Sequence, residues 1–172
     1  MQNSARKFFK PFIASFSGYS LIELLVAIAT MVIIFSVGIA NFRGYQRRQN
    51  LENAFRMVKA DLMLTRELAL TAKFKEGCNV LNGYLFRIDA STDEYIVGAD
   101  CGPGNTCVNK PNLCEKKVSL PDNIDISLNA GNTILFKTVA GGINWTSNAL
   151  ITLSDENGNS KIITVTPQSR IE

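Results

Sequence analysis

Few residues of this chain have the type and spacing that chemistry requires, and the most telling group lies near the N-terminus. Glu23 follows Gly18-Tyr19-Ser20-Leu21-Ile22 and precedes Leu24-Leu25-Val26-Ala27-Ile28. A carboxylate among apolar side chains costs a few kcal/mol, so either a positive group neutralises it or it sits at a boundary with water. The sequence has no histidine. That removes the commonest general base, the commonest metal ligand and any Ser-His or Cys-His dyad. Asp93-Glu94 and Asp155-Glu156 are adjacent carboxylates, but strand neighbours point to opposite faces and turn neighbours simply solvate. Asp155, Asn157 and Asn159 have the spacing that opens a calcium loop, yet Gly158 falls between them and no glutamate closes the loop. With Asp122, Asn123 and Asp125 they read as turn residues. No enzyme, metal or cofactor is expected.

The four cysteines, Cys78, Cys101, Cys107 and Cys114, contain no C-x-x-C pair, which argues against a zinc ribbon or a thioredoxin-like redox centre. An even number in a loop-rich stretch fits disulfides made in an oxidising compartment; unrelated thiols of a cytosolic protein are the alternative. The charge balance is 18 basic against 15 acidic residues. Arg6, Lys7 and Lys10 precede the first acid, Glu23, and without them the balance is 15 against 15. A neutral body offers no general attraction to nucleic acid or anionic lipid.

The elements that must hold these residues follow from periodicity. Leu24 to Ala40 is uncharged, with only Thr30 and Ser36 polar. Together with Tyr19–Ile22 it predicts a helix able to cross a hydrocarbon core of about 30 Å, its basic flank in the cytoplasm. A cleavable secretory signal is the rival, and Val37-Gly38-Ile39-Ala40 offers it a poor small-x-small site. Asn41 to Lys75 contains no proline, and Leu51, Phe55, Val58, Leu62, Thr65, Ala69 and Ala72 recur at alternating steps of four and three. That is one buried helical stripe. Arg47, Arg48, Glu52, Arg56, Lys59, Asp61, Arg66 and Glu67 are assigned to the solvent face, and Gly77 is the expected C′ stop. One helix from Ser20 to Glu76 would be roughly 80 Å long.

Beyond Gly77 the pattern becomes β-rich: Val80–Ile88, Glu94–Ala99, Ile124–Leu128, Thr133–Lys137, Ala149–Leu153 and Lys161–Thr166. Turn-prone residues separate them, including an Asn157-Gly158 hairpin signal. The expected class is α+β: a long N-terminal α-helix, with a transmembrane half and an amphipathic half, packed on a C-terminal antiparallel β-sheet. If Val80–Ile88 and Glu94–Ala99 pair about Asp89–Asp93, Cys78 and Cys101 meet at the open end of that hairpin. Cys107 and Cys114 then close a small loop. Trp145 follows Gly141-Gly142-Ile143-Asn144 and reads as an exposed contact or as an apolar plug over a sheet edge.

Gly18, Tyr19, Glu23 and the apolar run together make the sequence resemble a prepilin of the type IV pilin and type II secretion pseudopilin superfamily. There a glycine precedes an apolar residue, and a glutamate stands fifth in the mature chain. The resemblance implies a cleaved leader over 1–18, a transmembrane or assembly half of the helix over 19–43, and an extracytoplasmic pilin-like domain over 44–172. It further implies that a prepilin peptidase cuts between Gly18 and Tyr19 and that Tyr19 is N-methylated. Glu23 would then pair with the new α-amino group of its own chain or of a neighbour, fixing axial register during assembly. The implied partners are that peptidase, other pilin or pseudopilin subunits, an inner-membrane assembly platform and membrane lipid before assembly. Tyr19 stands where phenylalanine is usual, the leader is long, and no proline lies near Ala40, which leaves the helix shape open. Ile134–Lys137, Ala149–Leu153, Gly158 and Ile162–Val165 resemble the β-domain of GspH/FimT-type minor pilins and pseudopilins. Some members bind DNA through a C-terminal glycine-arginine motif. Here Gln168-Ser169-Arg170-Ile171-Glu172 has one arginine and no glycine. A DNA-binding or tip-adhesin role using Lys116, Lys117, Lys161 and Arg170 is therefore the alternative and not the favoured reading.

Overall fold

The computed structural model describes residues 20–172 except 130, 139 and 140, with the side chains of 37–41 and 43 also outside the description. The chain divides into two units between Phe42 and Arg43. Helix α1 (Leu21–Leu70) contributes to both. Its N-terminal part exposes every described large apolar side chain, from Leu21 at 82 % to Val26 at 54 %. The expected transmembrane half is corrected here. Among the described residues no helix is long and apolar enough to cross a membrane. After Glu23, the described apolar side chains run from Leu24 to Phe35, about 18 Å at the helical rise against a hydrocarbon core of about 30 Å.

From Arg43 onward the helix has two faces. Leu51, Ala54, Val58, Leu62, Thr65 and Ala69 are buried, whereas Arg56, Arg66 and Glu67 are exposed. Asp61 departs from the sequence assignment, being 6 % exposed and on the inner side. The helix also ends sooner than the Gly77 signal suggested. Ala72 takes a left-handed φ of 45°, and Lys73 N–H reaches back to the Leu68 carbonyl at 3.3 Å while Ala72 N–H reaches Ala69 at 3.2 Å. This closing turn satisfies the last carbonyls without a glycine. Ala72 therefore leaves the buried stripe and is exposed.

Seven strands follow: β1 (Gly83–Asp89), β2 (Glu94–Asp100), β3 (Cys114–Ser119), β4 (Ile124–Leu128), β5 (Thr133–Lys137), β6 (Ala149–Asp155) and β7 (Ser160–Val165). They form two antiparallel sheets, in the orders β3-β2-β1-β5 and β4-β6-β7, where sequence reading expected one. β1 and β2 pair from Gly83↔Asp100 to Asp89↔Glu94, and β5 lies on the far side of β1. The class is mixed α+β. Helical Leu51, Val58 and Leu62 share one buried cluster with Tyr84, Phe86, Tyr95 and Val97 of the first sheet and Ile126, Ile151, Leu153, Ile163 and Val165 of the second. Each large aliphatic side chain so buried stabilises the fold by about 1.5–3 kcal/mol before entropy is counted. Phe86 and Tyr95 stack with ring centroids 4.9 Å apart.

Two sheet edges are closed by the chain itself. Along β5, Lys137 N–H donates to the Gly142 carbonyl and Asn144 N–H to the Leu135 carbonyl. Along β7, Thr164 and Glu172 exchange both backbone hydrogen bonds, at 3.2 and 2.9 Å.

Candidate assembly site

Within the first unit the residues of interest form a helix start. Ser20 caps α1: its Oγ accepts the Glu23 N–H at 3.3 Å. Ser20-x-x-Glu23 has the spacing of a capping box, a start signal written in the sequence itself. Glu23 is the acid of the first turn, where the helix dipole favours a negative charge by about 0.3–1 kcal/mol. This local role coexists with any role between chains. Thr30 and Ser36 turn their hydroxyls back onto the Ala27 and Ile33 carbonyls, at 2.9 and 2.7 Å, so the two polar residues of the tract hide their donors inside the helix. The outcome is an apolar cylinder without a polar face, carrying one acid at its start. Gly18 and Tyr19, the candidate processing residues, lie outside the described residues.

In the second unit Cys78 is bonded to Cys101 and Cys107 to Cys114. The first bond ties the segment after α1 to the end of β2; the second straps the loop before β3 onto that sheet. Gly98 makes room for the strap, because a Cβ there would run into the Cys107 side chain and the Leu113 carbonyl. The β2–β3 ladder shifts register at Val97/Gly98, as expected where a strand must bend around an inserted group.

The four cations considered as nucleic-acid contacts are divided among β3, β7 and the C-terminal segment, and each faces a carboxylate. Lys116 Nζ lies 2.7 Å from Asp61 Oδ2, Lys117 Nζ 2.8 Å from Glu94 Oε2, and Arg170 Nη1 3.7 Å from Glu172 Oε1. Lys161 pairs with Glu52, and that hydrogen bond, followed by the one from Arg56, holds the Glu52 carboxyl below its ordinary range. The Lys117 and Ser119 hydrogen bonds do the same for Glu94. Lys116 and Lys117 belong to β3 and Lys161 to β7, in the other sheet.

One polar cluster was missed from sequence. Asp61, on the helix, accepts the Tyr95 hydroxyl at 2.5 Å and the Lys116 ammonium at 2.7 and 2.9 Å. Tyr95 is fully buried. Burial, and then the Asp61 charge, push its hydroxyl well above the usual phenol range, so it remains a donor at any working pH. The cluster pins α1 to β2 and β3 at once. Sequence signal for it was slight: Asp61 follows Ala60 where the four-three stripe assigns solvent, and nothing local marks its partners.

At the β6–β7 turn, Asp155 accepts the Asn157 and Asn159 N–H groups at 2.9 Å each and the Asn159 side-chain amide at 2.8 Å. The Asn159 amide chiefly holds the Asp155 carboxyl below its ordinary range. Both oxygens therefore serve the turn. Among the described residues no group of three or more cysteine or acidic side chains is placed to hold a metal ion. No protein-family model matches the chain, and no curated protein or solved structure matches it.

Proposed function

We propose that this chain is a structural subunit of a filament outside the cytoplasm, of the type IV pilin or type II secretion pseudopilin kind, assembled through its N-terminal helix. The observation that carries the reading is the helical tract Leu21–Phe35, whose large apolar side chains are all at least half exposed. Exposed apolar surface of that extent marks an interaction site. A tract without a polar face suits the middle of a helical bundle, covered on all sides by the same tract of other subunits. Glu23 is the sole acid within it, and in such a dry bundle it requires a counter-charge. Cleavage between Gly18 and Tyr19 supplies one, as the α-amino group of Tyr19 on the same or a neighbouring chain. The two disulfides support an extracytoplasmic location for the β-domain. Lys116, Lys117, Lys161 and Arg170 are each paired with a carboxylate, so the DNA-binding alternative gains no support from them.

The test is incorporation. Glu23→Ala protein should accumulate and be processed normally, with an N-methylated Tyr19 at its N-terminus by mass spectrometry, yet enter filaments poorly. Filaments containing the variant at the wild-type level would defeat the proposal. So would mature protein whose N-terminus retains the first eighteen residues.

A further inference from the structure

Trp145 is the single tryptophan of the chain, and the structure gives it an unusual setting. It is half-buried, packed against the hydrophobic core, and lines a shallow, open cleft of about 480 Å³ together with Asn132, Thr133, Asn144, Thr146 and Ser147. That volume lies within the range of small-ligand sites. No charged side chain lines it. We infer that this cleft is a binding site for a neutral saccharide, a role that goes beyond filament assembly and does not depend on it.

The chemistry of the walls selects the ligand. A pyranose has an apolar C–H face that stacks on an indole and a rim of hydroxyls that pair with amides and hydroxyls. Phosphate and carboxylate ligands would find no cation here, and a purely apolar ligand would leave the amides unpaired. A peptide strand adding to β5 is excluded by the edge closure, since Asn144 N–H donates to the Leu135 carbonyl at 3.0 Å and Asn144 Oδ1 accepts the Leu135 N–H at 2.9 Å. The second of these orients the Asn144 side-chain amide, and among the described residues nothing takes its Nδ2 donors. Asn132 is held likewise: its carbonyl accepts the Ile88 N–H at 2.8 Å and its Oδ1 the Thr133 hydroxyl at 3.0 Å. Donors held in advance lose little freedom when a ligand arrives. Gly131, at a φ of 68°, lies beside the ring; a Cβ there would sit 3.9 Å from Trp145 Cζ2.

Because Trp145 is unique, its emission reports the site directly. The full chain, kept soluble in a detergent without a sugar headgroup, is titrated with glucose, galactose, N-acetylglucosamine and their β-linked disaccharides. At least one should produce a saturable change in the millimolar range, and inorganic phosphate should produce none. Saturation-transfer NMR should then show binding of that sugar weakened roughly tenfold or more by Trp145→Ala, as loss of an aromatic stack implies. Since Trp145 also touches the core, Thr146→Val and Ser147→Ala, both at exposed positions, are measured beside it. They should weaken the sugar severalfold with unchanged melting temperature. The inference is overturned if none of these sugars gives a saturable change up to about 0.1 M, where a millimolar site would be full. It is equally overturned if phosphate gives the same response, or if all three variants bind like wild type.

Discussion

Removing the carboxylate of Asp61 tests whether the helix is fastened to the first sheet by a polar cluster or by apolar contact alone. Asp61→Ala leaves the fully buried Tyr95 hydroxyl without its acceptor, which costs about 1–3 kcal/mol. The ion pair with Lys116 adds less. The Lys116 side chain is 41 % exposed, water can take over its ammonium, and screening reduces the pair to about 0.2–1 kcal/mol. A total loss of roughly 1–4 kcal/mol follows. Tyr95→Phe should cost about 1.5 kcal/mol, because Asp61 keeps Lys116. In the double variant the stranded hydroxyl is gone, so its cost should fall short of the sum by about 1–2 kcal/mol. Urea unfolding near neutral pH with intact disulfides, followed by Trp145 emission and far-UV circular dichroism, gives all three values if the two probes coincide. A loss below about 1 kcal/mol for Asp61→Ala, or strict additivity, would refute the reasoning and leave the apolar stripe as the whole attachment.

Other perturbations have equally definite outcomes. Paired replacement of Cys78 and Cys101 by alanine opens a loop with a sequence separation of 23 and should cost about 3 kcal/mol; the Cys107–Cys114 pair, at 7, should cost about 2 kcal/mol, both by denaturant titration. Gly98→Ala should destabilise by about 1–3 kcal/mol, because neither the Cys107 side chain nor the Leu113 carbonyl can retreat without moving the strap; an unchanged unfolding midpoint would show that the bend is slack. Stability should also decline with acid. The Glu52, Glu94 and Asp155 carboxyls are held below their ordinary values in the folded chain, so the unfolded chain takes up protons first as pH falls. Their contribution is present above 4.5, the ordinary glutamate value, and is lost progressively as pH falls toward the lower folded-state values, so melting temperatures measured at stepwise lower pH should decline across that range.

The parts of the fold that could be read from the sequence were those where burial leaves a period. Ile124–Leu128 and Thr133–Lys137 alternate inward and outward residues and form β4 and β5 over those same residues. The Leu51–Ala69 stripe reflects a helix with one covered face. β3 left no such trace, since Glu115, Lys116 and Lys117 sit on an edge strand where charge is tolerated. The division into two sheets was hidden for another reason. β5 joins β1 across a long stretch of chain while β4 turns to β6, and local pattern carries no record of which strands share a ladder. The helix end was misplaced because Ala72 adopts a backbone conformation that its side chain does not advertise. Asp61 is the sharpest miss: a charged residue is assigned to water by default, and only the arrival of Tyr95 and Lys116 from distant strands makes its interior position tolerable.

Antiparallel sheets with open borders carry a particular hazard, which is that one molecule's sheet recruits another's. Here the Gly142–Asn144 segment occupies the donors and acceptors of β5, while residues 170–172 lie along β7. Neither border is left as a template for a foreign strand. Each sheet is thus shut on one side, so strand exchange between molecules is confined to β3, where Glu115, Lys116 and Lys117 discourage it, and to β4.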